Sequence, residues 1–234
     1  MIYNWGGNSC YGGDGEVRVN LINNYYKPGP ATGERVRSRI ANPSKGAGQQ
    51  HWWLAGNFMA GAPEVTADNW LGLHPNPGDS VEDFRADGPL PAAPVTTQPA
   101  EAAYELVLKH AGATLPRRDS LDARIVEEVR TGTAHFGETY GGGGKGIIDS
   151  PQAAGGWPEL RSTDAPPDSD SDGMPDVWET KFGFDPKTAS DNSQDKDGDG
   201  YTNLEEYLNG TDPAVFIDYT KAENNISRHD SLFE

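Results

Sequence analysis

The sequence predicts a mainly β chain. It reads as the final coils of a parallel β-helix, then a partly helical extension wrapping them, then a small acidic tail built on two loops. Three observations carry that reading. Hydrophobic residues are only 35% of the 234, while Gly (29) and Pro (18) are plentiful, which favours short strands and turns over a helical bundle. An apolar–Asn–aromatic phrase recurs through residues 1–62. The net charge of −17 is concentrated near the end, because residues 164–234 hold 18 acidic and 5 basic side chains.

Residues 1–62 contain the repeated phrases Ile2-Tyr3-Asn4-Trp5, Leu21-Ile22-Asn23-Asn24-Tyr25-Tyr26 and Trp53-Leu54-Ala55-Gly56-Asn57-Phe58. Each is an apolar strand, then Asn, then an aromatic. Asn tolerates left-handed backbone, and its amide can bond to the same amide one rung away. Such phrases suit stacked coils of a β-helix. An antiparallel sheet with Asn-rich turns satisfies the same residues. Met1-Ile-Tyr-Asn-Trp-Gly-Gly reads as structure rather than a signal peptide, since it lacks a basic start and an apolar core.

Residues 63–163 read as the extension. Four prolines between Asp87 and Pro99 imply an extended segment. A first helix is expected over about 99–111, with Ala103, Leu106 and Val107 on its apolar face and Gly112 as its stop. A second follows Asp119 and ends at Gly132, with Leu121, Ile125 and Val129 four apart. Gly141–Gly144 reads as a flexible loop, and Pro166-Pro167 marks a boundary before the tail.

The tail spans 164–215, followed by a terminal segment over 216–234. It carries two twelve-residue phrases that start 27 residues apart: Asp168-Ser-Asp170-Ser-Asp172-Gly-Met174-Pro-Asp176-Val-Trp-Glu179 and Asp195-Lys-Asp197-Gly-Asp199-Gly-Tyr201-Thr-Asn203-Leu-Glu-Glu206. Each sets oxygen side chains at positions 1, 3, 5, 9 and 12, with Gly at 6. A hard cation such as Ca²⁺ takes six to eight oxygens, and the Gly makes the turn that wraps them around it. The residue at position 7, Met174 or Tyr201, offers a carbonyl, and Glu179 or Glu206 can grip with both oxygens. Helices are expected after each loop, over about 176–182 and 202–209. Neither Ala165-Pro166-Pro167 nor Ser190-Asp-Asn-Ser-Gln194 reads as a helix before its loop, so the loops suit structural Ca²⁺ rather than sensing. These half-EF units resemble the repeats of dockerins and thrombospondin type 3 domains. Their carboxylates repel one another until cations arrive, so metal should order the tail.

Several function classes are excluded. No basic stripe is present to neutralise phosphates, so nucleic acid is not an expected partner. No apolar run is long enough to span a membrane. The five His are scattered without a zinc-like pairing, and no Gly-x-Ser-x-Gly elbow or phosphate-binding Gly loop occurs. The lone Cys10 cannot form an internal disulfide and reads as an inert thiol. Lys27, Arg35, Arg37 and Arg39 cluster in sequence and could face an anionic polymer, although a solvated turn uses the same residues. The sequons at Asn209-Gly-Thr211 and Asn225-Ile-Ser227 carry weight only in a eukaryotic source.

Several longer phrases together resemble bacterial pectate lyases of polysaccharide lyase family 1. Tyr3-Asn-Trp-Gly-Gly-Asn-Ser-Cys-Tyr-Gly-Gly13 and Val19-Asn-Leu-Ile-Asn-Asn-Tyr-Tyr-Lys-Pro-Gly-Pro30 are similar to their last coils. Ala102-Ala-Tyr-Glu-Leu-Val-Leu108, Leu115-Pro-Arg-Arg-Asp119, Asp122-Ala-Arg-Ile-Val126, Val129-Arg-Thr-Gly132 and Gly155-Gly-Trp-Pro158 are similar to the segment that follows them. The resemblance implies a right-handed parallel β-helix and an extracellular or periplasmic monomer acting on pectin or polygalacturonate. It also implies β-elimination, with an Arg removing the C5 proton while Ca²⁺ bridges enzyme and sugar carboxylates. The family's essential Arg and catalytic-calcium Asp residues lie in Asp-His-Cys-Ser and Arg-Asn-Pro-Arg stretches, and this sequence contains neither. The expectation is therefore the C-terminal portion of such an enzyme, inactive alone, with two structural Ca²⁺ in its tail. A non-catalytic module binding carbohydrate or a partner is the alternative.

Overall fold

Parallel strand pairing organises the first part of the chain. The computed structural model describes residues 1–13, 15–93, 95–112, 114, 117–139, 145–159 and 161–224. The Gly141–Gly144 loop, the second sequon and the end of the 216–234 segment lie outside the described residues. Two compact units emerge: one takes residues 1–93 and 97–159, the other 160–234 with the short stretch 94–96.

In the first unit, strands β1 (Ile2–Tyr3), β3 (Tyr25–Lys27) and β5 (Phe58–Met59) form one parallel sheet in the order β1-β3-β5. Strands β2 (Val17–Ile22) and β4 (Gln50–Ala55) form a second, with Leu21 opposite Leu54 and Ile22 opposite Ala55. The period-two pattern of β4 turns Gln50, Trp52 and Leu54 inward. There they meet Trp5, Tyr26, Ile40, Met59, Val65, Leu73 and Phe84 in one apolar core. A short helix, α1 (Pro63–Ala67), starts on its Pro and buries Val65.

The expected β-helix is not what forms. The described residues show no closed solenoid; the architecture is mixed α/β, with sheets of three and two strands beside helices. The cause is local. Asn4 and Asn23 adopt left-handed backbone at φ 53° and 56°, which ends β1 and β2 there. The three repeated phrases also fail to stack as one series. The second and third pair in register through β2 and β4, whereas Ile2 of the first pairs with Tyr26.

Two helices pack on this scaffold. Helix α2 (Ala100–His110) ends just before Gly112, whose φ of 85° a side chain would resist. Helix α3 (Ser120–Thr131) is N-capped by the Asp119 carboxylate, which accepts from the Asp122 amide, and C-capped by left-handed Gly132. Their buried faces differ from expectation. Helix α2 buries Ala100, Tyr104 and Leu108 rather than Ala103, Leu106 and Val107. Helix α3 buries Val126 and Val129 while Ile125 is exposed. The reason is Tyr25, which is stacked between the rings of Phe58 at 4.7 Å and Tyr104 at 4.3 Å and so fixes which side of α2 faces the sheet.

The second unit holds helices α4 (Asp176–Phe182) and α5 (Asn203–Asn209), one after each acidic loop. Both end on a left-handed Gly, Gly183 and Gly210. Helix α5 opens with a capping box in which Thr202 and Glu205 bond reciprocally. Trp178 lies against Phe182, Phe184 and Tyr207, which ties the two helices together. Among the described residues no helix is long and apolar enough to cross a membrane.

Candidate metal centre

The two acidic loops fold alike because the same positions carry the same backbone demands. Position 4 is left-handed in both (Ser171 at φ 62°, Gly198 at 78°), and so is position 6 (Gly173 at 97°, Gly200 at 104°). The first Asp of each loop holds that turn. Asp168 accepts from the amides of Asp172 and Gly173, at 3.2 and 3.0 Å. Asp195 accepts from Gly198 and Gly200, at 2.7 and 2.9 Å. The fifth residue fixes the seventh: Asp172 accepts from the Met174 amide and Asp199 from the Tyr201 amide. Met174 is fully buried, and Tyr201 packs edge-on against Tyr219.

This wrapping gathers carboxylates. Asp168, Asp170 and Asp172 each place an oxygen within 4.8 Å of the others, as do Asp195, Asp197 and Asp199. A third group joins Asp172 and Glu179 to Asp191, which lies between the loops. Asp191 belongs to neither twelve-residue phrase, and no spacing rule in the sequence singles it out. The two position-9 residues also make hydrogen bonds within their loops. Asp176, at position 9, accepts from the amide and hydroxyl of Ser169, both at 2.7 Å. Asn203 in the second loop accepts from the Lys196 amide at 3.2 Å. Both position-9 side chains thus brace the entry of their own loop.

The electrostatics are those of a cation site. Glu179 is 0% exposed and Glu206 3%, a placement that carboxylates avoid unless paired. Both oxygens of Glu179, both of Asp170, and one each of Asp172, Asp197, Asp199 and Glu206 are buried without a hydrogen-bond partner. Burial, reinforced by Asp170, Asp172 and Asp191, pushes the Glu179 carboxyl up to about 7. Burial likewise raises Asp170, Asp172, Asp197 and Glu206. Asp195 is instead held low by the Gly200 amide. Oxygen-only donors, unpartnered and crowded, fit a hard cation such as Ca²⁺.

The chain's relatives in sequence carry pectate lyase names. The probable pectate lyase C of Aspergillus flavus is 33% identical over 193 residues, covering 81% of this chain and 42% of that protein. The probable pectate lyase C of Aspergillus terreus is 32% identical over 200 residues, covering 81% and 42%. That of Emericella nidulans is 30% identical over 192 residues, covering 81% and 41%. The chain is similar in sequence to these proteins over about four fifths of its length. No family model matches it. The chain spans about two fifths of the length of these curated relatives. They are fungal, whereas the phrases of the first unit resemble those of bacterial enzymes.

The basic residues expected at a pectate surface are dispersed in role. The Lys27 ammonium donates to the Tyr104 hydroxyl at 3.1 Å and to the Arg130 carbonyl at 2.9 Å, so it fastens α2 and α3 to β3. Arg37 reaches the Thr32 carbonyl at 3.5 Å and lies 3.6 Å from Glu34. Arg35 is exposed, and its charge helps lower the basicity of Arg39, after burial. Of the tryptophans, Trp5 and Trp52 are core residues, while Trp157 is 76% exposed. Cys10 is half-buried, and burial raises its thiol.

Proposed function

We propose that the chain is a calcium-stabilised portion of a secreted pectate lyase-like protein that acts on polygalacturonate. What supports the lyase part is identity of 30–33% to named probable pectate lyases across four fifths of the chain. What supports the calcium part is Glu179, whose two buried oxygens have no partner. In this reading Asp168, Asp170, Asp172 and Glu179 hold one Ca²⁺, with the Met174 carbonyl. Asp195, Asp197, Asp199 and Glu206 hold a second, with the Tyr201 carbonyl. Asp176 and Asn203 keep the loops wound. The ions supply cross-linking charge, and Lys27, Arg35 and Arg37 are secondary candidates for contact with the polyanion.

The chain taken alone is proposed not to turn over substrate. It carries neither the Asp-His-Cys-Ser nor the Arg-Asn-Pro-Arg stretch of the family it resembles. The loop carboxylates are not proposed as a replacement, since in this reading the two loop cations occupy them. The test is incubation with polygalacturonate and Ca²⁺, following unsaturated product by ultraviolet absorbance. Sustained turnover would overturn the inactivity. For the loops, calorimetry on Glu179→Gln and Glu206→Gln should show in each variant a strong loss at the site whose ligand is changed, and unchanged affinity in both would remove calcium from this reading.

A non-catalytic carbohydrate-binding role has one observation in its favour. Trp157 stands exposed beside a shallow depression lined by Ser120, Leu121, Arg124 and Phe136. Retention on pectin that Trp157→Ala abolishes would favour it.

A further inference from the structure

We infer that Asp191 is a ligand of the first cation, supplied from outside its loop, and that through it the two cation sites are coupled. This deepens the calcium reading above and rests on it. Asp191 lies twelve residues beyond Glu179, yet its carboxylate shares a 4.8 Å cluster with those of Asp172 and Glu179. It is only 8% exposed, and one of its oxygens is buried without a partner. Three carboxylates brought this close out of water repel one another strongly, and an enclosed cation removes that repulsion. Within the first loop, Asp176 is turned back on Ser169. Among the described residues Asp191, not Asp176, shares the cluster of Asp172 and Glu179.

The coupling follows from how Asp191 is held. Its carbonyl accepts from the Asn203 side-chain amide at 2.6 Å, and Asn203 also receives the Lys196 amide of the second loop. The next residue, Asn192, donates from its side chain to the Asp172 carbonyl at 3.0 Å. The Asn192 carbonyl accepts from the Leu204 amide at 3.1 Å. One short segment therefore touches the fifth residue of the first loop and the helix start of the second. Winding the second loop around its cation sets Asn203, which sets Asp191, which completes the first site. By reciprocity, filling the first site favours the second.

The experiment is a Ca²⁺ titration of the full chain by calorimetry, paired with terbium luminescence. Excitation selective for Trp reports the first loop through Trp178, which lies in it, and calorimetry of the variants resolves the second site. Wild type should show two sites with positive coupling. Asp191→Asn should weaken the first site by at least about tenfold and lower the second by less. Glu206→Gln should also weaken the first site, although it touches no first-loop ligand. Two sites of wild-type affinity in Asp191→Asn would overturn the inference and leave the loop assignment standing. Wild type that binds no Ca²⁺ would overturn both. If Asp191→Asn lost both sites, Asp191→Glu decides: a recovered first site supports the ligand role, and continued loss of both overturns it.

Discussion

The side-chain amide of Asn69 closes two hydrogen bonds with the backbone of Asn57. The Asn57 amide donates to Asn69 Oδ1 at 2.8 Å, and Asn69 Nδ2 donates to the Asn57 carbonyl at 2.8 Å. Both residues are buried, and the Asn57 side chain reaches on to the Asn24 amide and the Leu21 carbonyl. One side chain thus does for Asn57 what a neighbouring strand would do, at the point where β4 gives way to β5. Asn69→Ala leaves a buried donor and acceptor unpaired and should destabilise the first unit by roughly 2–4 kcal/mol. Asn69→Asp keeps the acceptor alone and should cost nearly as much. Denaturant midpoints of the two variants check this; an Asp variant as stable as wild type would mean the donor half is unimportant.

Lys27 tests whether a cation of the first unit serves packing or substrate. Its ammonium reaches Tyr104 on α2 and the carbonyl of Arg130 on α3, and lies 5.3 Å from the Tyr104 ring centre. Lys27→Met removes these bonds but keeps much of the stem, so a loss of about 1 kcal/mol is expected. Arg35→Ala, an exposed change, should leave stability within about 0.5 kcal/mol of wild type. Thermal unfolding separates the two; equal midpoints would contradict the packing role of Lys27.

The buried Glu179 carboxyl sets a pH dependence with a defined sign. Its ordinary value is 4.5, and without a cation burial raises it to about 7. Between those values the folded tail holds a proton that the unfolded chain has released, so stability falls as pH rises. In chelator, the tail should therefore melt at a lower temperature near pH 8 than near pH 5. With Ca²⁺ in excess the order reverses, because binding the cation expels that proton. Near-ultraviolet circular dichroism of Trp178 follows both. A chelated tail that gains stability towards pH 8 would contradict the placement of Glu179.

Much of the tail was legible in the sequence, and less of the first unit. Ligand spacing is a local code: Asp at 1, 3 and 5, Gly at 6 and Glu at 12 determine the turn and the oxygens together, and helices 176–182 and 203–209 follow from it. Asp191 was not legible, because nothing local marks a residue that reaches its site through Asn203 in another loop. In the first unit the Asn phrases pointed correctly to left-handed turns at Asn4 and Asn23. They could not say how many strands would pair, and a few short parallel pairings did not extend to a closed solenoid. The faces of α2 and α3 were misread for a related reason. Helical spacing shows that an apolar stripe exists, but the docking of Tyr104 on Tyr25 chooses which stripe is buried.

Trp178 should decide whether the loops act as a pair. Its ring lies 4.9 Å from Phe182 and 5.5 Å from Phe184, and meets Tyr207 of the second helix edge-on at 5.4 Å. It also precedes Glu179, so the residue that joins the helices sits next to a proposed ligand. Trp178→Ala should cost about 2–3 kcal/mol, somewhat less than a fully buried tryptophan, because the ring is partly exposed. Tyr207→Ala removes the same contact from the other side without touching the first loop. If the helix pair holds the loops together, Tyr207→Ala should weaken Ca²⁺ at both sites, while Leu208→Ala, an exposed neighbour on α5, should weaken neither. Calorimetry on the two variants reads the difference directly. A Tyr207→Ala tail that binds both ions as tightly as wild type would show that this ring contact is not what holds the loops together.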